Sequence, residues 1–529
     1  MATLYYNGTI ITMSNPPVAE TVLTEGERVV AVGPFKRLFD MASGAETVNL
    51  EGRTLMPAFV DAHSHLSSYA SSFLQVPLDE CVSFDEIFER IQGFIADNAV
   101  KEGEWVFAKG YDNNALKERR HPTLALVDAC APKNPLILQH ASGHVGVFNS
   151  LALRLLSVNP DTPSPEGGRI GTENGYLTGY MEENAYFTYM KKAPMAGAKE
   201  LFAAYMKAQA GYAAHGITTI QEGMMVKEML PLYRQLLSIN MLYLDTVGYA
   251  SVEDTDAFIA AFPQSFLRYD RHFKLGGCKI FLDGSPQGRT AWMRKPYLGS
   301  NPDYRGYGTM RDEQVLDAVE ASARQGMQLL AHCNGDAAAR QFLNAVELAE
   351  RDYDVAALRP VMIHAQLLGR DQLPLALRLG VTPSFFVAHT YHWGDVHLQN
   401  FGEERAFAIS PTASALSLGL RFTFHQDTPV IAPNMLETLW CAVNRVTKGG
   451  VSLGEAERIP VEEALKAVTV NAAWQYFEED KKGSIEAGKN ADFVMLDRNP
   501  LSVPLDELRD IRVLKTIKGG KTIFERQID

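Results

Sequence analysis

Apolar and polar positions follow two different rhythms along the chain. At both ends the apolar runs are short and broken by turn residues. Leu4-Tyr5-Tyr6, residues 9–13 and Val29-Val30-Ala31-Val32 read as strands, and Asn7-Gly8 between the first two predicts a hairpin. No long amphipathic helix is predicted before residue 55. The carboxyl end returns to this style, with strands expected at 491–496 and 511–517 and a turn-rich stretch at 483–488. Residues 1–55 and 481–529 are therefore expected to form one small β domain, sandwich-like, assembled from both chain ends.

Between them, strand-like runs alternate with helical periodicity. Strands are expected at 55–60, 217–220, 241–244, 278–282, 328–331, 361–364, 384–387 and 421–424, with helices such as 199–214 and 312–325 between them. Eight strand–helix repeats predict an α/β fold, a (β/α)8 TIM barrel over residues 56–480 whose site lies at the carboxyl ends of the strands. A doubly wound sheet is the competing architecture. The span 66–205 is too long for one strand-to-helix connection. It reads as an insertion that walls or lids the pocket, or as an extra packing layer.

Composition narrows the function. The 529 residues, 46% hydrophobic and 21% charged, fit a globular, soluble protein with one large domain and a smaller one. A net charge of −13, spread along the chain, excludes a basic nucleic-acid footprint. Five scattered cysteines, Cys81, Cys130, Cys278, Cys333 and Cys441, make no Cys-x-x-Cys pair and suit a reducing compartment. No signal-peptide pattern and no apolar run of about 18 residues is present, so a cytoplasmic location and no membrane partner are expected.

Ionisable residues gather at the strand ends. His63 and His65 follow the first strand, two residues apart, a spacing that sends both imidazoles to one side. Lys279 lies within the fourth strand, His332 and His364 end the fifth and sixth, and Asp427 follows the eighth. In a barrel these ends converge. Each histidine alone also fits a satisfied core position, but a lysine inside Gly-Gly-Cys-Lys-Ile-Phe-Leu is costly to bury without a partner.

These segments resemble the amidohydrolase superfamily, and within it the amidohydrolase-3 branch that includes N-substituted formamide deformylases. The resemblance spans nearly the whole chain and rests on His63-Ser64-His65, Gly277-Cys278-Lys279-Ile280-Phe281-Leu282-Asp283-Gly284-Ser285, His332-Cys333-Asn334-Gly335-Asp336, Ile363-His364-Ala365, Asp427-Thr428-Pro429 and Gly483-Ser484-Ile485-Glu486-Ala487-Gly488-Lys489-Asn490-Ala491-Asp492. It implies that His63 and His65 bind the more buried metal, that His332 and His364 bind a second, and that Lys279, carboxylated on its amine, bridges them. Asp427 would bind the buried metal and shuttle the proton. Zn²⁺ suits nitrogen and oxygen donors, as one ion or two, and Lys279 is carboxylated or unmodified. The reaction implied is hydrolysis of an amide-type C–N bond in a small N-formyl or N-acyl substrate. Cyclic amide or amidine hydrolysis, deamination and ester hydrolysis remain alternatives, with a non-catalytic ligand-binding protein as another class. A homodimer is a further expectation from the family.

Two segments depart from the family pattern. His425-Gln426 stands where small residues usually precede the aspartate, and either tunes substrate choice or satisfies buried neighbours. Gln139-His140-Ala141-Ser142-Gly143-His144 has serine in place of the usual acid. His144 is either a catalytic group binding substrate or its oxyanion, or a structural loop residue. Arg289 is a candidate for a substrate carboxylate or a protein acid. His389, His392 and Trp393 form either a wall for a flat substituent or ordinary packing. Asn334 and Asp336 are expected to orient the His332 loop, and Cys278 and Cys333, pointing away from it, to pack.

Overall fold

The computed structural model describes residues 2–194, 197–301 and 303–527. Eight parallel strands form one curled sheet in chain order: β1 (Phe59–Val60), β2 (Ile217–Met225), β3 (Asp245–Ser251), β4 (Phe273–Phe281), β5 (Gln328–Cys333), β6 (Val361–His364), β7 (Thr382–Phe385) and β8 (Thr423–Phe424). Each pairs with its sequence neighbour. The curl brings the two outer strands round to each other, and the His65 N–H beyond β1 donates to the Thr428 carbonyl beyond β8 at 2.9 Å. This is the TIM-barrel-like sheet that the alternating pattern predicts, with helices such as Ala198–Ala214 and Asp312–Arg324 where the periodicity puts them.

The small β domain also forms, from two sheets. One runs Arg28–Gly33, Thr21–Glu25, Ala2–Tyr6, Glu46–Asn49; the other runs Lys521–Glu525, Val513–Lys518, Phe493–Leu496, Thr54–Pro57, Thr9–Ile11, Val18–Ala19. Residues from both chain ends, among them Tyr5, Ile10, Leu55, Phe493 and Ile517, share its core.

Three local expectations fail. The Asn7-Gly8 turn is no hairpin: Ala2–Tyr6 and Thr9–Ile11 lie in different sheets, and each pairs with later segments. Gly8 sits against residues 50–53, where a Cβ would come within 2.4 Å of the Arg53 carbonyl oxygen, and the Thr9 N–H donates to that same carbonyl. The apolar run 55–60 is two strands, not one. Thr54–Pro57 belongs to the small sheet and Phe59–Val60 to the barrel, with the Ala58 N–H turned to the Asp492 carbonyl between them.

The third strand lies not at 241–244 but at Asp245–Ser251. Its first residue is a buried aspartate, which reads as a terminator of an apolar run. Burial is possible because Lys482 and Lys518 reach Asp245 Oδ2 at 2.5 and 2.8 Å. Glu478 lies in the same cluster, paired with Lys274 and with Lys482, the latter at 2.8 Å.

Residues Ser67–Ala208 form a second compact unit. It has its own mixed sheet, in the order Gly168–Glu173, Tyr176–Glu183, Val145–Phe148, Leu136–His140, Val106–Tyr111, Val76–Pro77, and its own apolar clusters. All five cysteines are buried and free. Among the described residues no helix is long and apolar enough to cross a membrane.

The Glu478 carboxylate is shared by two buried ammonium groups, so removing its charge leaves both under-compensated. Glu478→Gln is expected to lower unfolding free energy by about 3 kcal/mol, read as a shifted urea midpoint. An unchanged midpoint would show that the cluster contributes nothing to stability.

Candidate metal centre

The barrel converges the strand-end residues as the sequence expects. His63 and His65 leave β1, Lys279 points in from β4, His332 and His364 sit at the ends of β5 and β6, and Asp427 follows β8. His63 Nε2 and His65 Nε2 lie 3.3 and 3.2 Å from the same oxygen, Asp427 Oδ1. The donor atoms of these three residues all fall within 4.8 Å of one another. Lys279 Nζ is 3.0 Å from His63 Nε2. His332 Nδ1 and His364 Nε2 face each other at 3.1 Å, and the latter is 4.0 Å from Asp427 Oδ2.

The backbone bends to make this convergence. His364 and Asp427 adopt φ of 71° and 55°, a left-handed conformation that costs a non-glycine residue roughly 1–3 kcal/mol. Gly223 on β2 supplies the room: a Cβ there would sit 2.5 Å from His63 Cε1 and 2.9 Å from the Ser64 carbonyl oxygen.

The tautomer of His63 follows from its partner. Gln221 Nε2 donates to the Ala62 carbonyl and to Tyr476 Oη, both at 2.9 Å. Its Oε1 is therefore the atom facing His63 Nδ1 at 2.5 Å, and a carboxamide oxygen only accepts. Nδ1 carries the proton and Nε2 is bare. This bare nitrogen points at a carboxylate oxygen that has no hydrogen-bond partner among the described residues. Two lone pairs directed at one point, in a buried site, are the arrangement that a cation fits.

The second pair is held in a similar way. His332 Nε2 lies 3.3 Å from the Gly284 carbonyl oxygen and 3.1 Å from Asn334 Nδ2, with Nδ1 turned toward His364. His364 Nδ1 contacts His425 Nε2 at 3.1 Å, and His425 Nδ1 contacts Ser384 Oγ at 2.8 Å. Asp283 anchors the loop after His332 by accepting the N–H groups of Trp292, Asn334 and Gly335 at 2.7–2.9 Å.

Electrostatics favour neutral ligands. Burial, with the nearby Lys279 charge, lowers the His63 pKa to about 3 and that of His332 to about 4. Burial alone drives His364 the same way, and the neighbouring imidazoles add to it. Burial lowers Lys279 to about 8. Burial would raise Asp427, while donation from the facing His65 imidazole pulls its carboxylate down. All three histidines are thus neutral donors at pH 7, as metal ligation requires.

The remaining candidates have partners of their own. His389 is buried, 3.1 Å from His397 Nε2 through Nδ1, with its ring against Trp393 and Phe386. The Phe386 ring is 5.3 Å from that of His425. His392 Nε2 is paired with Glu437 at 2.7 Å. Arg289 Nε donates to Asn400 Oδ1 at 2.7 Å and meets no acid within 4.0 Å among the described residues. Asn334 Nδ2 donates to the Gly284 carbonyl beside His332, whereas Asp336 binds Arg294. His144 belongs to the inserted unit, half-exposed and paired with Glu183 at 3.0 Å. Cys278 and Cys333 are buried packing residues. Sequence reasoning missed Gln221, Tyr476 and Ser384. The one available signal was the polar pair Gln221-Glu222 continuing a buried strand.

Comparison with known proteins agrees with this geometry. The model of the amidohydrolase family (Amidohydro_3) matches residues 46–524. An N-substituted formamide deformylase of Arthrobacter pascens is 28% identical, over 96% of this chain and 95% of its own. A putative amidohydrolase of Bacillus subtilis is 25% identical, over 99% and 100%. The crystal structure of an uncharacterized metal-dependent hydrolase from Pyrococcus furiosus superposes with a TM-score of 0.74 at 27% identity, covering 95% of this chain and all of that one. With the family matched across most of its length and a His/His/Asp cluster built to hold an ion, the chain belongs to the amidohydrolase family, as a metal-dependent hydrolase acting on an amide-type C–N bond.

Proposed function

We propose that the protein hydrolyses a small N-formyl or N-acyl compound, releasing an amine and a carboxylate, with zinc held by His63, His65 and Asp427. The observation that carries this reading is the partnerless Asp427 Oδ1 between two imidazole nitrogens, one of them bare because Gln221 holds its proton on the other side. The deformylase relative supports the formamide class. A second ion fits the facing nitrogens of His332 and His364 beside Lys279. The cysteine usage supports a reducing, cytoplasmic setting.

A divalent ion in this donor set makes water acidic, with a pKa near about 7, and polarises a carbonyl oxygen. The chain's own contribution is to hold ligands neutral and aimed, and to move the proton. Asp427 stays ionised, so its carboxylate accepts a proton from attacking water and returns it to the departing nitrogen. Gln221 keeps His63 in one tautomer, and His425 with Ser384 steadies His364. The ring cluster of Phe386, His389 and Trp393 forms an apolar wall suited to a flat substituent, with His392 and Arg289 as polar contacts at its edges. Lys279, lowered to about 8, has an appreciable neutral fraction. Its amine adds CO₂ to give a carbamate and a released proton, converting a buried cation into an anion that can bridge two ions.

Five outcomes test the reading. Chelation is expected to abolish hydrolysis and zinc to restore it; metal-replete protein carrying no transition metal would overturn the proposal. Asp427→Ala is expected to lower kcat/KM by about 10²–10⁴-fold, and unchanged turnover would remove Asp427 from the mechanism. Amine plus formate from a formamide supports deformylation, whereas ammonia from a cyclic amidine would move the enzyme to the deaminases. Gln221→Leu is expected to weaken zinc affinity by about 10–100-fold with the fold retained; equal affinity in the two proteins would rule out tautomer control. Lys279→Ala is expected to lose bound metal and to regain it with acetate, and full metal content without acetate would exclude the bridge.

A further inference from the structure

The metal centre occupies the carboxyl ends of the barrel strands. Their amino ends open onto a separate cavity of about 630 Å³, with Asp245 and His272 at the starts of β3 and β4 on one side and Lys518 and Lys521 on the other. The chain as a whole is acidic, with 50 Lys and Arg against 63 Asp and Glu. This cavity inverts the balance: Arg28, Arg271, Lys481, Lys482, Lys518 and Lys521 line it against only Glu27, Asp245 and Asp492.

Two of its three acids, Asp492 and Asp245, are already engaged. Asp492 Oδ1 accepts the Gly519 N–H at 2.7 Å. Asp245 takes Lys482 and Lys518 on one oxygen and His272 Nδ1 on the other, at 2.7 Å. With Glu478 beneath and buried Asp492 acting on Lys482, three carboxylates face three ammonium groups, those of Lys274, Lys482 and Lys518. That cluster is balanced within itself, so the field in the adjoining space comes from the cations around it. Lys518, with 10% of its side chain exposed, is the member of the cluster that reaches the opening. Around it Arg28, Lys481 and Lys521 have no carboxylate within 4.0 Å among the described residues.

A carboxylate offers one charge to this array, whereas a phosphate group brings about −1.5 to −2 at pH 7 and three acceptor oxygens. A neighbouring cavity of about 270 Å³ shares Tyr269 and Lys481 with the first and is walled by Tyr249, Tyr476 and Phe477. It offers aromatic surface to whatever bears the phosphate. We propose that the amino-terminal face of the barrel carries a binding site for a small phosphate-bearing anion, distinct from the metal centre.

Isothermal titration of the metal-loaded protein with inorganic phosphate and with adenosine monophosphate tests this. Saturable binding of at least one ligand is expected, weakening as salt is raised. Lys481→Ala/Lys521→Ala is expected to weaken it by about tenfold or more while hydrolysis is unchanged. Tighter binding of the nucleotide, with the advantage lost in Phe477→Ala, assigns the site to an organic monoester; equal affinities assign it to the phosphate group alone. No saturation by either ligand, or undiminished affinity in the double variant, would overturn the proposal. So would loss of binding in Asp427→Asn, which would locate the anion at the metal centre.

Discussion

A histidine can offer only one lone pair, and the metal centre depends on which nitrogen of His63 keeps its proton. Gln221 decides this, but it can do so only because its own amide is fixed. Both Nε2 hydrogens are engaged, by the Ala62 carbonyl and Tyr476 Oη, so Oε1 has to face the imidazole. Tyr476 is fixed in turn by donating to the Asp61 carbonyl at 2.7 Å. The ligand is therefore set by a chain of hydrogen bonds inside the barrel, begun by a segment more than 400 residues later in sequence.

That segment also explains how the barrel tolerates a polar interior. Gln475 Nε2 donates to the Ala62 carbonyl, Gln328 Nε2 donates to the Gln475 carbonyl, and Tyr249 donates to Gln328 Oε1. Below them Lys274, Glu478, Lys482 and Asp245 form the ionic cluster. Polar groups thus run from the metal centre to the amino-terminal face, each paired within the protein. Removing one member costs more than its own bond because its neighbours lose their partners too.

Ligands, strands and the return of the chain to its first sheet were legible because each leaves a local mark: a histidine or aspartate closing an apolar run. Gln221 and Tyr476 leave none. A glutamine in a strand and a tyrosine after a helix fit many positions, and their meaning exists only once residues far apart in sequence meet. The same holds for the third strand. Asp245 reads as the end of an apolar run because the lysines that make its burial affordable lie at 482 and 518. The Asn7-Gly8 turn was visible, but turn chemistry alone does not say whether a chain folds back or passes between sheets.

His425 and Gln426 show how a departure from a family pattern is absorbed. In place of small residues the chain puts an imidazole and a carboxamide just before Asp427, and both are fully buried. Gln426 Nε2 bonds Thr438 Oγ1 at 2.8 Å, away from the metal centre. His425 bridges Ser384 and His364. Its ring lies between two of the candidate ligands, 5.2 Å from that of His63 and 5.1 Å from that of His364. The backbone at Asp427, held at a φ of 55°, keeps the carboxylate facing His63 and His65 despite the larger side chains before it. The extra groups stiffen the second histidine pair, and the three-residue cluster is left with the geometry it needs.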